Sequence, residues 1–144
     1  PKPKHSPDYF HQKLGGILWS TCGMSRKQQS LKAAMKDISE LESEFWQNIK
    51  VTGSESDFNQ TLEKAGRVAD FIELGYLMCH DAIEREESCG AHARLEYLAE
   101  SGDAKRDDEN YSYVAAWECQ DGLPVLHKEQ LHFEFIKPSV RDYK

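Results

Sequence analysis

The chain has 144 residues, of which 30% are charged, and a net charge of −7. That length suits about one domain, with no room for a large cofactor-binding architecture beside a second one. The acidic balance argues against nucleic acid as a partner, because a phosphate-binding surface carries a basic excess. No apolar run approaches the span of a bilayer and the opening residues lack the apolar stretch of a signal peptide, so a soluble chain is expected. The chain starts without Met, in a polar Pro-rich stretch, which reads as a segment of something longer.

Pro7-Asp8 opens a first helix that carries Phe10, Leu14, Ile17 and Leu18 on one face and stops before Gly23. After Ser25 a second helical pattern places Leu31, Ala34, Ile38, Leu41, Phe45 and Ile49 at alternating spacings of three and four, and Val51-Thr52-Gly53 ends it. The third pattern is the longest. Asp57 is its expected cap, and Phe58, Leu62, Ala65, Ala69, Ile72, Tyr76, Cys79 and Ile83 keep the same rhythm as far as Arg85. Such stripes are buried only by facing one another, so the expected architecture is mainly α: an up-and-down three-helix bundle, spectrin-repeat-like.

Beyond Asn110 the period becomes two. Tyr111, Tyr113, Ala115 and Trp117 alternate with smaller or polar residues, Asp121-Gly122 supplies a turn, and Val125, His127, Leu131, Phe133 and Phe135 resume the alternation up to Pro138. A small C-terminal antiparallel β hairpin is expected, followed by the tail Arg141 to Lys144. Residues 1–110 then form the bundle and a charged loop, and residues 111–144 the hairpin and tail, together making one structural domain. The aromatic pairs Phe45-Trp46 and Tyr111 to Trp117 are assigned to packing faces.

Between the helical and strand patterns lie two dense charge clusters, Arg85 to Arg94 and Arg106 to Asn110. Charges so closely set need partners in each other, in water or in another surface. Arg106-Asp107-Asp108 reads either as a solvated run or as an ion-pair knot. Cys89 follows Glu86 and Glu87 at a helix C-terminus, where negative charge and the helix dipole both oppose a thiolate; a thiol packed in a tight turn is the expectation. His92, flanked by small residues, reads as a hydrogen-bonding strut rather than an acid-base group. Cys89 and His92 lack a third metal ligand, Cys79 and His80 point apart on a helix, and the four cysteines are scattered without a Cys-x-x-Cys pair, so reduced thiols and no metal are expected. No glycine-rich phosphate cradle is present.

A set of elements spread along the chain carries a resemblance. It comprises Phe10-His11 with Leu14-Gly15, Trp19 with Cys22-Gly23-Met24, Asn59 with Leu62 to Asp70, Glu73-Leu74-Gly75 with Leu77-Met78, the two charged clusters, and Lys137-Pro138 with Arg141 and Tyr143. Together they resemble the carboxyl-terminal domain of the flavoprotein subunit of succinate dehydrogenase and fumarate reductase, over almost the whole chain. The resemblance implies a three-helix bundle with a small β extension, within an FAD-dependent oxidoreductase that interconverts succinate and fumarate by hydride transfer at flavin N5. The family's proton-shuttling Arg and flavin-linked His lie upstream of this region, so no catalytic, cofactor-binding or metal-binding residue is expected in this segment. The partners implied are the flavin-binding and capping domains of the same polypeptide, the iron-sulfur subunit and, indirectly, a membrane cytochrome b subunit. The location implied is peripheral, on the cytoplasmic face of the inner membrane.

On that resemblance the expected interdomain docking set is Arg85, Glu86, Glu87, His92, Arg94, Arg106, Asp107 and Asp108, with the Arg and His side chains donating and Asp107 and Asp108 accepting. Most of the family has Arg at the position of Cys89, and a thiol cannot replace a bidentate donor. Two other readings are an autonomous spectrin-type binding module and the related domain of L-aspartate oxidase, which has a similar Glu-Ser-Arg-Gly element. The Arg-Asp-Asp cluster, the hairpin and the Arg-x-Tyr ending favour the dehydrogenase.

Overall fold

The structure, a computed structural model, describes residues 3–54 and 58–139. The chain divides into two compact units, residues 1–86 and 87–144. The first contains α1 (Pro7–Thr21), β1 (Ser25–Arg26), α2 (Gln28–Asn48) and α3 (Gln60–Glu84). The second contains β2 (Ala93–Arg94), the single turn α4 (Asp108–Tyr111), β3 (Tyr113–Gln120) and β4 (Leu123–Gln130).

Each long helix begins and ends for local reasons. Ser6 caps α1, accepting from the Tyr9 N–H, and Pro7 occupies the first turn, where its missing N–H costs nothing. The helix closes at Cys22, whose N–H bonds the Leu18 carbonyl, with Gly23 just beyond. Asn59 caps α3, its side chain accepting from the N–H groups of Thr61 and Leu62 at 3.0 Å each. The cap expected at Asp57 lies outside the described residues.

The helices run up, down and up. Backbone bonds join Lys4 and His5 to the Asn48 carbonyl, which sets the start of α1 beside the end of α2. Lys64 at the start of α3 reaches Asp8 at 3.3 Å, while Cys22 and Cys79, near the other ends of α1 and α3, are free thiols in hydrogen-bond contact. All five residues predicted inside α2, Leu31, Ala34, Ile38, Leu41 and Phe45, are buried. Phe10 packs edge-on against Phe45 at 5.2 Å, joining α1 to α2.

On α3 the observed stripe differs from the predicted one. Ala65, Ile72 and Cys79 are buried as expected, but Val68, Gly75 and Ala82 complete the stripe. Ala69, Tyr76 and Ile83 are only partly buried at its edge, and Phe58 and Leu62 are exposed. Both stripes share one heptad position, so a three-four count leaves a choice of flank. Small side chains on one flank allow closer helix approach, and that flank faces inward. Gly75 shows why: a Cβ there would lie 3.2 Å from both Leu14 Cδ1 and Leu18 Cδ1.

In the second unit, β3 and β4 pair antiparallel from Tyr113↔Gln130 to Gln120↔Leu123. Asp121 and Gly122 both have positive φ, 51° and 79°, the requirement of a two-residue type I′ hairpin turn. Tyr113, Ala115 and Trp117 share the more covered face, as their alternation predicts, and Lys128 lies 4.4 Å over the Tyr113 ring. The strand ends at Gln130, short of the predicted Phe135; Phe133 and Phe135 lie outside it and are exposed. Alternation alone could not find that end, because β3 has no residues left to pair with them. Trp46, assigned to packing, is 66% exposed, with its ring edge-on to Phe45.

The phase of α3 is testable by charge. Ile72→Asp places an uncompensated carboxylate in the core and is expected to cost about 3 kcal/mol or more. Leu62→Asp, on the predicted stripe but exposed and in the first turn, is expected to stay within about 0.5 kcal/mol of the parent. Denaturant melts of both variants followed by circular dichroism check this; equal losses would restore the predicted phase.

Candidate functional site

The two charged clusters are built largely within the second unit, with only Arg85 and Glu86 in the first. Arg85 closes α3, its N–H bonding the Asp81 carbonyl at 3.1 Å, and Glu86 is exposed. From Glu87 the chain turns inward: Glu87, Ser88 and Arg94 are 3%, 0% and 1% exposed. Burying charge requires hydrogen bonds to the charged form. The Glu87 carboxylate accepts the Asp107 N–H at 2.8 Å, tying the first cluster to the second.

Ser88 closes a reciprocal pair. Its Oγ accepts the Arg94 N–H at 2.9 Å and donates to the Arg94 carbonyl at 3.1 Å, while its own N–H bonds the Lys105 carbonyl at 3.0 Å. Between them Cys89 and His92 exchange two backbone bonds of 2.9 and 3.1 Å across a turn with Gly90 at φ 58°. Positive φ at the first central position makes it a type II′ turn, which glycine adopts without strain. Cys89 is thus exposed rather than packed. The Arg94 guanidinium donates from Nε to Glu96 at 3.2 Å and lies 5.3 Å over the Tyr97 ring.

The second cluster resolves into a half-exposed local knot. Arg106 donates from Nε and Nη2 to Asp108 Oδ1 at 2.9 and 2.6 Å and from Nη1 to the Ser139 carbonyl at 3.0 Å. The hydrogen bond to Asp108 raises the Arg106 pKa. Asp107 caps α4, accepting from the Asn110 side chain at 2.9 Å and its N–H at 3.2 Å, and these bonds hold its carboxyl below the ordinary range. Of the eight expected docking residues, Glu87 and Arg94 are buried struts, Arg85, His92, Arg106 and Asp107 are half-buried, and Glu86 and Asp108 are exposed.

Sequence reasoning missed two features. Ser88 carries no charge and drew no attention, yet it organises the loop. Cys22 and Cys79, far apart in sequence, meet at one end of the bundle as hydrogen-bonded thiols. Cys79's donation pulls the Cys22 thiol down to about 7 against its burial, with Arg26 assisting, and the same bond together with burial pushes Cys79 up. The clue lay in the stripe, since Cys79 falls on the inward face of α3. Among the described residues no three His, Cys, Asp or Glu side chains gather at metal-binding spacing, and no helix is long and apolar enough to cross a membrane.

Comparison with known proteins places this geometry. The family described as fumarate reductase flavoprotein C-term matches residues 11–143. The chain belongs to this family. Among curated relatives, the fumarate reductase flavoprotein subunit of Haemophilus influenzae is 30% identical over 135 residues, 93% of this chain and 21% of that protein. The succinate dehydrogenase flavoprotein subunit of Coxiella burnetii is 27% identical over 111 residues, 77% of this chain and 18% of that protein. Among solved structures, FrdA of Escherichia coli quinol fumarate reductase superposes with a TM-score of 0.80 at 24% identity, covering 96% of this chain and 23% of that one. Sdh1 of Mycobacterium smegmatis superposes at 0.67 and 19% identity, covering 89% and 21%. These structures share the fold, a three-helix bundle with a small antiparallel β pair. The chain spans about a fifth of the length of the relatives it matches.

Two outcomes check the charged loop. Ser88→Ala leaves the buried Arg94 N–H without its acceptor and is expected to destabilise the second unit by about 1–3 kcal/mol, whereas Glu86→Ala stays near zero; amide exchange across residues 87–106 distinguishes them. The Asp107 pKa is lower folded than unfolded, so its contribution is present above the ordinary carboxylate range and is lost as pH falls through the folded value. Asp107→Ala should therefore flatten the acid limb of the melting profile below about pH 4.

Proposed function

We propose that this chain is a docking and structural part of an FAD-dependent flavoprotein that interconverts succinate and fumarate, and that it contributes no catalytic or flavin-contacting residue. The observation that carries the reading is the family match over residues 11–143, with 30% identity to a fumarate reductase flavoprotein subunit in an alignment covering 93% of the chain. A non-catalytic role is supported by how the charged side chains are used. Asp107 caps a helix, Arg106 holds Asp108 and a carbonyl, and Glu87 accepts a backbone N–H. Groups committed to their own backbone are poorly placed to move protons in a substrate.

The outward remainder of the clusters in the second unit, His92, Arg106 and Asp108, then meets the flavin-binding and capping domains of the same polypeptide. Glu87 and Arg94 support that surface from inside. The iron-sulfur subunit is the next partner, delivering or removing electrons, and the membrane cytochrome b subunit is reached only through it. On this reading the protein sits peripherally on the cytoplasmic face of the inner membrane. L-aspartate oxidase of Nostoc is also similar, at 26% identity, but over 61% of the chain.

The purified chain is expected to be colourless and unable to reduce fumarate with a reduced dye, while the intact polypeptide retains flavin and does so. Stoichiometric flavin on the purified chain would overturn the non-catalytic reading. In the intact polypeptide Arg106→Gln is expected to weaken flavin retention roughly tenfold, the size of one rim charge pair, with little change in the melting of the isolated chain. If the chain melts early while the intact protein keeps its flavin, the cluster is an internal knot and not a docking surface.

A further inference from the structure

Cys22 and Cys79 owe their meeting to the bundle geometry. At Gly75 the missing side chain admits Leu14 and Leu18 to within 3.2 Å of the position a Cβ would take, drawing α1 and α3 together. One turn further along each helix stand Cys22 and Cys79, bonded through their thiols. Both belong to the core, at 6% and 0% exposed, and both are reduced. A thiol is a weak hydrogen-bonding group, so the pair adds little to the core that two alkyl groups would not. Two thiols in contact across neighbouring helices can, however, exchange their protons for a covalent bond.

We propose that Cys22 and Cys79 form an oxidisable dithiol, a modification site at which a small-molecule disulfide such as oxidised glutathione is reduced and the C-terminal ends of α1 and α3 become covalently joined. Cys22 attacks first. It caps α1, where the last turn frays at low cost and opens a path to solvent, while Cys79 lies wholly inside. Arg26, whose charge favours the Cys22 thiolate, adds to the S–H donation from Cys79. The Cys22 thiolate bonds to one glutathione sulfur and expels the other as a thiolate, giving a mixed disulfide. That thiolate takes the Cys79 proton; Cys79 sulfur then attacks Cys22 sulfur and releases the second glutathione, which takes up the proton first lost by Cys22. Two protein thiols are oxidised, one glutathione disulfide is reduced to two thiols, and the protons balance.

The test uses the whole chain with the exposed Cys89 and Cys119 replaced by Ser, so that only the core pair can react. After incubation with oxidised glutathione, non-reducing peptide mapping should find the Cys22 peptide linked to the Cys79 peptide, the mass of two hydrogens lost, and no glutathione retained. Closing so long a loop should raise Tm by roughly 5–10 °C, reversibly with dithiothreitol. Adding Cys79→Ala should halt the reaction at glutathione on Cys22. The proposal is overturned if both thiols stay free under conditions that fully modify Cys89 and Cys119 in the parent chain. It is equally overturned if glutathione is retained on both sulfurs without a link, or if the linked species melts earlier than the reduced one.

Discussion

The approach of α1 to α3 at Gly75 is the constraint from which the first unit follows. Helix pairs separate by the bulk of the side chains between them, and here one position has none while the opposing positions carry Leu14 and Leu18. With that distance set, the inward stripe of α3 has room only for small and medium residues: Ala65, Val68, Ile72, Cys79 and Ala82. The aromatic rings of the core come from the other two helices, as Phe10 and Phe45, and Ile72 is the largest side chain that α3 buries. Thin on one side and thick on the other, the packing interdigitates without needing volume from all three helices at once. The thiol pair is a consequence of the same approach.

The second unit has little aliphatic core among its described residues and is ordered differently. Its buried side chains include Glu87, Ser88 and Arg94, and directional bonds replace area. Ser88 holds both backbone groups of Arg94, and the Glu87 carboxylate holds Asp107. Such bonds contribute modestly when made and cost more when broken, so the loop has one good conformation instead of several adequate ones. A loop already ordered has less conformational entropy to lose in any contact it makes.

Much of this was legible in the sequence, and the failures have physical causes. Pro7 and Asp121-Gly122 mark an end and a turn through backbone restrictions that act locally, and each stands where expected; Gly23 follows the end of α1 without a left-handed backbone. The α2 stripe was legible because only one phase of its apolar residues is continuous. The α3 stripe was not: two flanks of a heptad offered apolar residues, and the choice rested on Gly75, which a hydrophobicity count scores as nothing. The end of β4 depended on the length of its partner strand, information that lies ten or more residues away. Of the charged clusters, composition revealed that partners were needed but not which side chains would turn inward. That decision belongs to Ser88, whose hydroxyl is too common in loops to be a signal.

The turn at Cys89 shows how side-chain identity separates from backbone architecture. The turn it occupies is closed by backbone bonds to His92 and by the positive φ of Gly90, neither of which involves the side chain at position 89. The guanidinium that the resemblance implies at this position in most of the family would leave those backbone bonds intact. The same separation runs through the unit: the inward residues Glu87, Ser88 and Arg94 fix the shape through their hydrogen bonds, and the exposed side chains contribute less to it. At 24% identity the superposition on FrdA still reaches a TM-score of 0.80, so the fold tolerates change at most positions.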